Sequence, residues 1–325
     1  MTRSTEPALG RVPDFFIVGQ PKCGTTALYK MLRSHPQIYM PELKEPLFFA
    51  SDLRPRLSKQ PLEGGRKPLF PVSREEYVAL FEAAAPDQRV GEATPTYLRS
   101  HVAAGAIAEA QPGARIIAIF REPASFLRSL HLQWLQLHLE SETDLADAMA
   151  LEDSRRQGVL RPGEKPQARM LLYSEFVRYV EQLRRFQEVF PREQMLVLIY
   201  DDFRRDNDAT VRSVLRFLDV DDTVRLEASS ANPTVAVRSR RLERMVRTAQ
   251  AGVGPISGPA HTLITTLAPP RLRRKLFDRV IYSKPQPIDD RLVRDLRRRF
   301  KPEVEALSEC LDRDLVALWG YDSID

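Results

Sequence analysis

Three stretches of the chain are apolar at nearly every position rather than at every second one: Asp14–Val18, Arg115–Phe120 and Met195–Tyr200. Continuous apolar runs of this length predict strands covered on both faces, as in a parallel sheet. A weaker strand is expected at Arg89–Ala93, just before Thr94-Pro95. After the first run, Leu28, Met31 and Leu32 recur at helical spacing. Helical patterns are also read at Ser73–Ala84, Ser100–Glu109, Pro123–Glu140, Ser174–Phe190, Asp208–Leu218, Arg238–Gln250 and Asp289–Leu311. Strands alternating with helices predict an α/β protein, a three-layer fold whose central, mostly parallel sheet is flanked by helices.

Proline and glycine gather in Pro55–Pro71 and Gly158–Pro166, read as surface loops over the sheet, and in Gly252–Pro270. The expected organisation is an N-terminal extension (1–13), one α/β domain (14–250) and a helical C-terminal extension (251–325) packed on the same domain. Composition changes this picture little. The 49 Lys and Arg against 44 Asp and Glu leave a charge of +5, enough to suit an anionic ligand but too little to point to nucleic acid. Two cysteines, Cys23 and Cys310, give neither a disulfide framework nor a zinc site, and no metal is expected. The N-terminus lacks the apolar core of a signal peptide and the longest apolar runs are too short to cross a bilayer, so a soluble, cytoplasmic chain without membrane insertion is expected.

The chemistry begins in the loop Gly19-Gln20-Pro21-Lys22-Cys23-Gly24-Thr25-Thr26, between the first strand and its helix. Such a loop offers free backbone N–H groups and the positive end of a helix dipole to an anion. The spacing Gly19-x-x-x-x-Gly24 is P-loop-like, yet Thr25-Thr26 stands where a nucleoside triphosphatase carries Lys followed by Ser or Thr. The lysine sits inside the loop, at Lys22, and the strand ending at Phe120 is followed by Arg121 rather than a metal-binding aspartate. The loop therefore suits a terminal group handled by protein cations alone.

Read whole, Phe16 to Leu28 closely resembles the 5′-phosphosulfate loop of sulfotransferases that use 3′-phosphoadenosine 5′-phosphosulfate (PAPS), in the branch of the heparan-sulfate enzymes and their bacterial relatives. Lys44-Glu45-Pro46-Leu47-Phe48-Phe49 is similar to that branch's Lys-Glu-Pro-His-Phe-Phe segment, and Gly91-Glu92-Ala93-Thr94-Pro95-Thr96-Tyr97 to its Glu-x-Thr-Pro-x-Tyr segment. Phe120-Arg121-Glu122-Pro123, with Ser129 eight residues after the arginine, resembles the 3′-phosphate site. The likeness extends over residues 14–245. Two positions depart from it: Phe126 stands where an arginine is usual, and Leu47 replaces the motif's histidine.

The resemblance implies sulfuryl transfer from PAPS, leaving 3′-phosphoadenosine 5′-phosphate (PAP), to a hydroxyl or, less readily, an amine of a carbohydrate, glycolipid or secondary metabolite. Lys22 would serve the bridging oxygen, and Cys23, Gly24, Thr25 and Thr26 the 5′-phosphate. Glu92 would be the general base, with His131 a further candidate to assist it and Lys44 a contact on the acceptor side. Arg121 and Ser129 would select the 3′-phosphate. Arg238, Arg240 and Arg241 would close over it, unless they form a solvated basic face. Glu92 has an alternative as a carboxylate paired with Lys22 or Lys44. The basic clusters Arg271–Lys275 and Arg297–Lys301 read as solvated faces, with peripheral contact to an anionic membrane or acceptor as the sharper alternative. Two other readings compete: a kinase-like phosphotransferase needing ATP and Mg²⁺, opposed by the missing Gly-Lys-Ser/Thr, and a non-catalytic nucleotide-binding or interaction protein, opposed by Lys22 together with Glu92.

Overall fold

The continuous apolar runs are the middle and one flank of a single parallel sheet in the computed structural model, which describes residues 11–54, 70–162, 164, 171–227, 236–237, 282–283 and 289–324. Its strands are β1 (Phe15–Gly19), β2 (Ile38–Tyr39), β3 (Arg89–Ala93), β4 (Arg115–Phe120) and β5 (Met195–Ile199), hydrogen-bonded in the order β2-β3-β1-β4-β5. Every neighbouring pair is parallel. Helices cover both faces: Phe15, Phe16, Ile17 and Val18 have no exposed surface, and Ile116 to Phe120 at most 1%. Gly91 is required in β3 because a Cβ there would lie 2.1 Å from the Phe15 ring. Two-residue β2 is too short for any periodicity to announce.

Strand order decides where a ligand can sit. From β1 the chain departs toward β2 and β3, and from β4 it departs to the opposite side, toward β5. The carboxyl ends of adjacent β1 and β4 thus bound a crevice at a topological switch point, the usual ligand position in an open α/β sheet.

Several helices are shorter than their patterns suggest. The Ser73–Ala84 pattern is an α-helix only over Arg74–Val78 and a 3₁₀ turn over Ala79–Phe81. The Pro123–Glu140 pattern ends at Gln136, because His138 takes a left-handed φ of 54° and the N–H groups of Leu139 and Glu140 both return to the Trp134 carbonyl. The Ser174–Phe190 pattern is two helices, Tyr173–Phe176 and Tyr179–Gln187, separated at Arg178, whose ψ of 62° is not helical. The expected helix Arg238–Gln250 lies outside the described residues.

The chain divides into two compact units, one from Met1–Phe126, Ser174–Asn232 and Leu296–Asp325, the other from Leu127–Tyr173 and Pro233–Asp295. The first carries the sheet. In the second, Arg155 is fully buried, with Glu140 and Glu164 oxygens each 2.8 Å away, and the Tyr173 hydroxyl donates to Glu140 at 3.0 Å. Such a closed ion cluster fixes a fold, since removing one partner would leave a buried charge. Among the described residues no helix is long and apolar enough to cross a membrane.

Candidate active site

The loop after β1 enters its helix through Gly24, whose φ of 86° lies in the left-handed region. No side chain caps the Thr25–Arg33 helix, its first turn holds no acidic residue, and Lys30 and Arg33 occupy its last turn. With no side chain accepting its first N–H groups and no acid opposing the positive end of its dipole, this helix start is of the kind that holds phosphate. Thr25 is buried and Thr26 half-buried. Cys23 lends the loop only its backbone: its thiol has no exposed surface, and burial pushes its pKa up to about 12. A Cβ on Gly24 would come within 2.9 Å of the Phe203 ring. Gly24→Ala should therefore cost about 1–3 kcal/mol in chemical denaturation, because both the backbone and the contact resist a side chain.

Two cations meet at this loop, Lys22 within it and Arg121 beside it. Lys22 is half-buried at a φ of 62°, and burial, followed by the charge of Arg121, lowers its pKa. Arg121, directly after β4, donates from Nη1 to the Lys22 carbonyl (3.2 Å) and from Nε to Ser125 Oγ (3.0 Å). Its guanidinium lies 4.7 Å from the centre of the Tyr200 ring, and the Tyr179 hydroxyl donates to its carbonyl at 3.0 Å. Among the described residues neither Lys22 nor Arg121 has a carboxylate within ion-pair distance. Two cations with no carboxylate partner among the described residues, beside an uncapped helix start, suit an anionic ligand.

Glu92, the penultimate residue of β3, is fully buried. Its partners are hydroxyls: Oε2 accepts from Tyr77 (2.5 Å) and Tyr97 (3.1 Å), and Oε1 from Thr94 (2.5 Å). The expected alternative of pairing with Lys22 or Lys44 is thereby corrected, since Lys44 Nζ pairs with Glu45 instead. Burial raises the Glu92 pKa to about 7, against the three hydroxyl bonds that pull it down; the Glu45 charge adds a further rise. A carboxylate so placed is half-ionised near neutrality, where a general base is most effective. The Lys44–Phe49 segment supports it. Phe48 stacks on Tyr77 with centroids 4.3 Å apart, Phe49 meets Tyr77 and Tyr97 edge-on, and the Glu45 N–H bonds the Ala93 carbonyl. Tyr77→Phe removes one donor to the carboxylate and so raises its proton affinity further. Turnover should fall about tenfold at pH 6 and change little at pH 9, which a pH–rate profile checks.

The other predicted residues scatter. Phe126 packs in the core, edge-on to Tyr179 at 6.1 Å, so the usual arginine position is filled by apolar contact. Ser129 is buried on the helix Pro123–Gln136. His131 is buried with both ring nitrogens held by protein partners, the Tyr173 hydroxyl (2.7 Å) and the Thr143 carbonyl (3.0 Å), and burial lowers its pKa, surroundings that suit a structural histidine better than an assisting base. Arg238, Arg240 and Arg241 lie outside the described residues. Four residues were missed: Ser125, Tyr77, Tyr200 and Phe203. Only Ser125, one helical turn beyond Arg121, left a readable signal. No three His, Cys, Asp or Glu side chains converge as a metal would require among the described residues.

The parallel α/β sheet thus brings an uncapped helix start and two cations, Lys22 and Arg121, together at its switch point, an arrangement suited to an anionic ligand. Residues 13–223 match the model of the sulfotransferase family, and the chain belongs to that family. It is 25% identical over 276 residues to carbohydrate sulfotransferase 15 of Homo sapiens, covering 71% of this chain and 48% of that protein. To the bifunctional heparan sulfate N-deacetylase/N-sulfotransferase 2 of Homo sapiens it is 25% identical over 222 residues, 67% of this chain and 23% of that one. The chain thus spans about half or less of the length of these curated relatives. A crystal structure of a sulfotransferase from Alicyclobacillus acidocaldarius shares the fold, with a TM-score of 0.67, 24% identity and coverage of 94% of this chain and 98% of that one.

Proposed function

We propose that this chain transfers the sulfuryl group of PAPS to a hydroxyl of a carbohydrate acceptor. One observation carries the reading: Lys22 and Arg121, both without a carboxylate partner among the described residues, flank an uncapped helix N-terminus in the switch-point crevice. The N–H groups of Gly24, Thr25 and Thr26 would hold the 5′-phosphate, with Lys22 beside it, and Arg121 and Ser125 would hold the 3′-phosphate, with Ser129 further along the same helix. PAPS supplies a sulfuryl group on a good leaving group. Glu92 takes the proton as the acceptor oxygen bonds to sulfur, and Lys22 stabilises the charge left on the departing phosphate oxygen. The names of the carbohydrate and heparan sulfate relatives support a glycan acceptor.

Because Glu92 has no exposed surface, the acceptor must displace part of the wall around it before the proton can pass. That burial and the three hydroxyl bonds also favour a second reading, in which Glu92 is a structural anchor for Tyr77, Tyr97 and Thr94. Transfer of labelled sulfate from PAPS to a panel of glycan hydroxyls, in the presence of EDTA, tests the main proposal. Transfer supports it; PAP binding without transfer to any acceptor, or phosphoryl transfer from ATP, overturns it.

A further inference from the structure

The last helices reach the two turns that frame the candidate donor site. Gly320, at a φ of 70°, ends the helix Leu315–Trp319 and turns the chain inward, so that Tyr321 has no exposed surface. The Tyr321 hydroxyl donates to Glu122 Oε1 at 2.8 Å. That carboxylate, itself 8% exposed, also accepts the N–H of Ala124 (3.1 Å) and of Ser125 (2.7 Å), capping the helix that begins at Pro123. Arg297 completes the group, with Nε 3.5 Å from Glu122 and its guanidinium 5.5 Å from the Tyr321 ring centre. Glu122 therefore fixes Ser125, and Ser125 in turn receives the Arg121 Nε–H.

A second set of ties ends beside the same site. Trp319 Nε1 donates to Asp201 at 3.0 Å, and Arg313 Nη1 to Asp202 at 2.5 Å. Both aspartates belong to the helix Tyr200–Arg205, which sets Tyr200 against the Arg121 guanidinium and Phe203 against Gly24. Arg297 and Lys301 were expected on a solvated face. Both are half-buried and turned onto the chain end, Lys301 donating to the Ile324 carbonyl at 2.6 Å. Docking of a terminal helix needs only its apolar side, and Val304, Leu307 and Leu315 supply that. The polar ties from Tyr321, Arg297, Trp319 and Arg313 are different: each ends on a carboxylate, Glu122, Asp201 or Asp202, directly next to Arg121, Tyr200 or Phe203.

We infer that the C-terminal segment braces the donor site, and that Tyr321 is a positioning residue that acts through Glu122 and Ser125 to aim Arg121 at the 3′-phosphate. The inference rests on the reading of Arg121 as the 3′-phosphate ligand. Its signature is selective: cutting the brace should weaken PAP while sparing adenosine 5′-phosphate, which lacks the 3′-phosphate.

The test is calorimetry on the full chain with PAP and with adenosine 5′-phosphate, for the unaltered protein, Tyr321→Phe and Arg121→Ala, with thermal denaturation alongside. Tyr321→Phe keeps the ring and removes one hydroxyl. It should reduce the preference for PAP about tenfold, a loss of one good hydrogen bond's worth of aim. Arg121→Ala should reduce it at least as much. Loss with Arg121→Ala but none with Tyr321→Phe overturns the brace and leaves the functional reading standing. No loss with Arg121→Ala overturns the assignment of the 3′-phosphate itself. Equal weakening of both nucleotides by Tyr321→Phe shows a general stabilising role and also overturns the brace. Should Tyr321→Phe fail to fold, Glu122→Ala removes the acceptor at the other end of the same tie and decides by the same preference.

Discussion

Glu92→Gln is expected to lower sulfuryl transfer about 100- to 10,000-fold while leaving PAP affinity unchanged, because the amide keeps the shape of the carboxylate and cannot take a proton. Calorimetry with PAP and a transfer assay on the same preparation measure both. Stability separates this role from that of a structural anchor. Burial raises the Glu92 pKa from its ordinary 4.5 to about 7, so the folded chain holds this proton more tightly than the unfolded one. The stability this gives is fully present below pH 4.5 and is lost as pH rises through about 7. Glutamine has no such dependence. The melting temperature of Glu92→Gln relative to the unaltered protein should therefore climb as pH goes from 5 to 8. A variant that melts lower at every pH and loses PAP binding in step with turnover would instead mark Glu92 as an anchor.

Much of the sheet was legible because its strands are buried on both faces, and burial on both faces writes an unbroken apolar run; Arg115–Phe120 is a strand over that very range. The anion loop was legible because strand, glycines and lysine are contiguous. The surroundings of Glu92 were not. Thr94 and Tyr97 stand in the same motif segment as Glu92, but Tyr77 lies fifteen residues before it, and nothing local marks the three hydroxyls as partners for one carboxylate. Charge reasoning pointed to Lys22 or Lys44, whereas the fold spends the Lys44 charge on Glu45. The Lys44–Phe49 motif was read for its lysine, yet its two phenylalanines do much of the supporting, by packing the tyrosines that hold Glu92. Tyr321 meets Glu122 across 199 residues of sequence, a pairing no periodicity can carry. Helix lengths erred where a single residue left helical conformation, as Arg178 and His138 do, since an apolar face continues across such a break.

Lys22→Ala is expected to lower transfer about 100- to 1,000-fold, the range found when one preorganised donor to a developing charge is removed. PAP carries no sulfuryl group, so its affinity should fall far less, by about tenfold or under. Lys22→Arg should restore little: the lysine sits at a φ of 62° beside the Arg121 guanidinium, where a compact ammonium fits and a second planar fork does not. The pH dependence carries a sharper signature. Burial first, and then the charge of Arg121, lowers the Lys22 pKa, so its ammonium loses its proton at a lower pH than an ordinary lysine. Transfer should rise through about pH 7 as Glu92 ionises and decline again below the usual lysine range as Lys22 loses its proton. Arg121→Ala removes one positive neighbour and should move only the alkaline limb, to higher pH, with the acid limb in place. If both limbs moved together, the two groups would be titrating as one unit, and the separate roles of Lys22 and Glu92 would have to be abandoned.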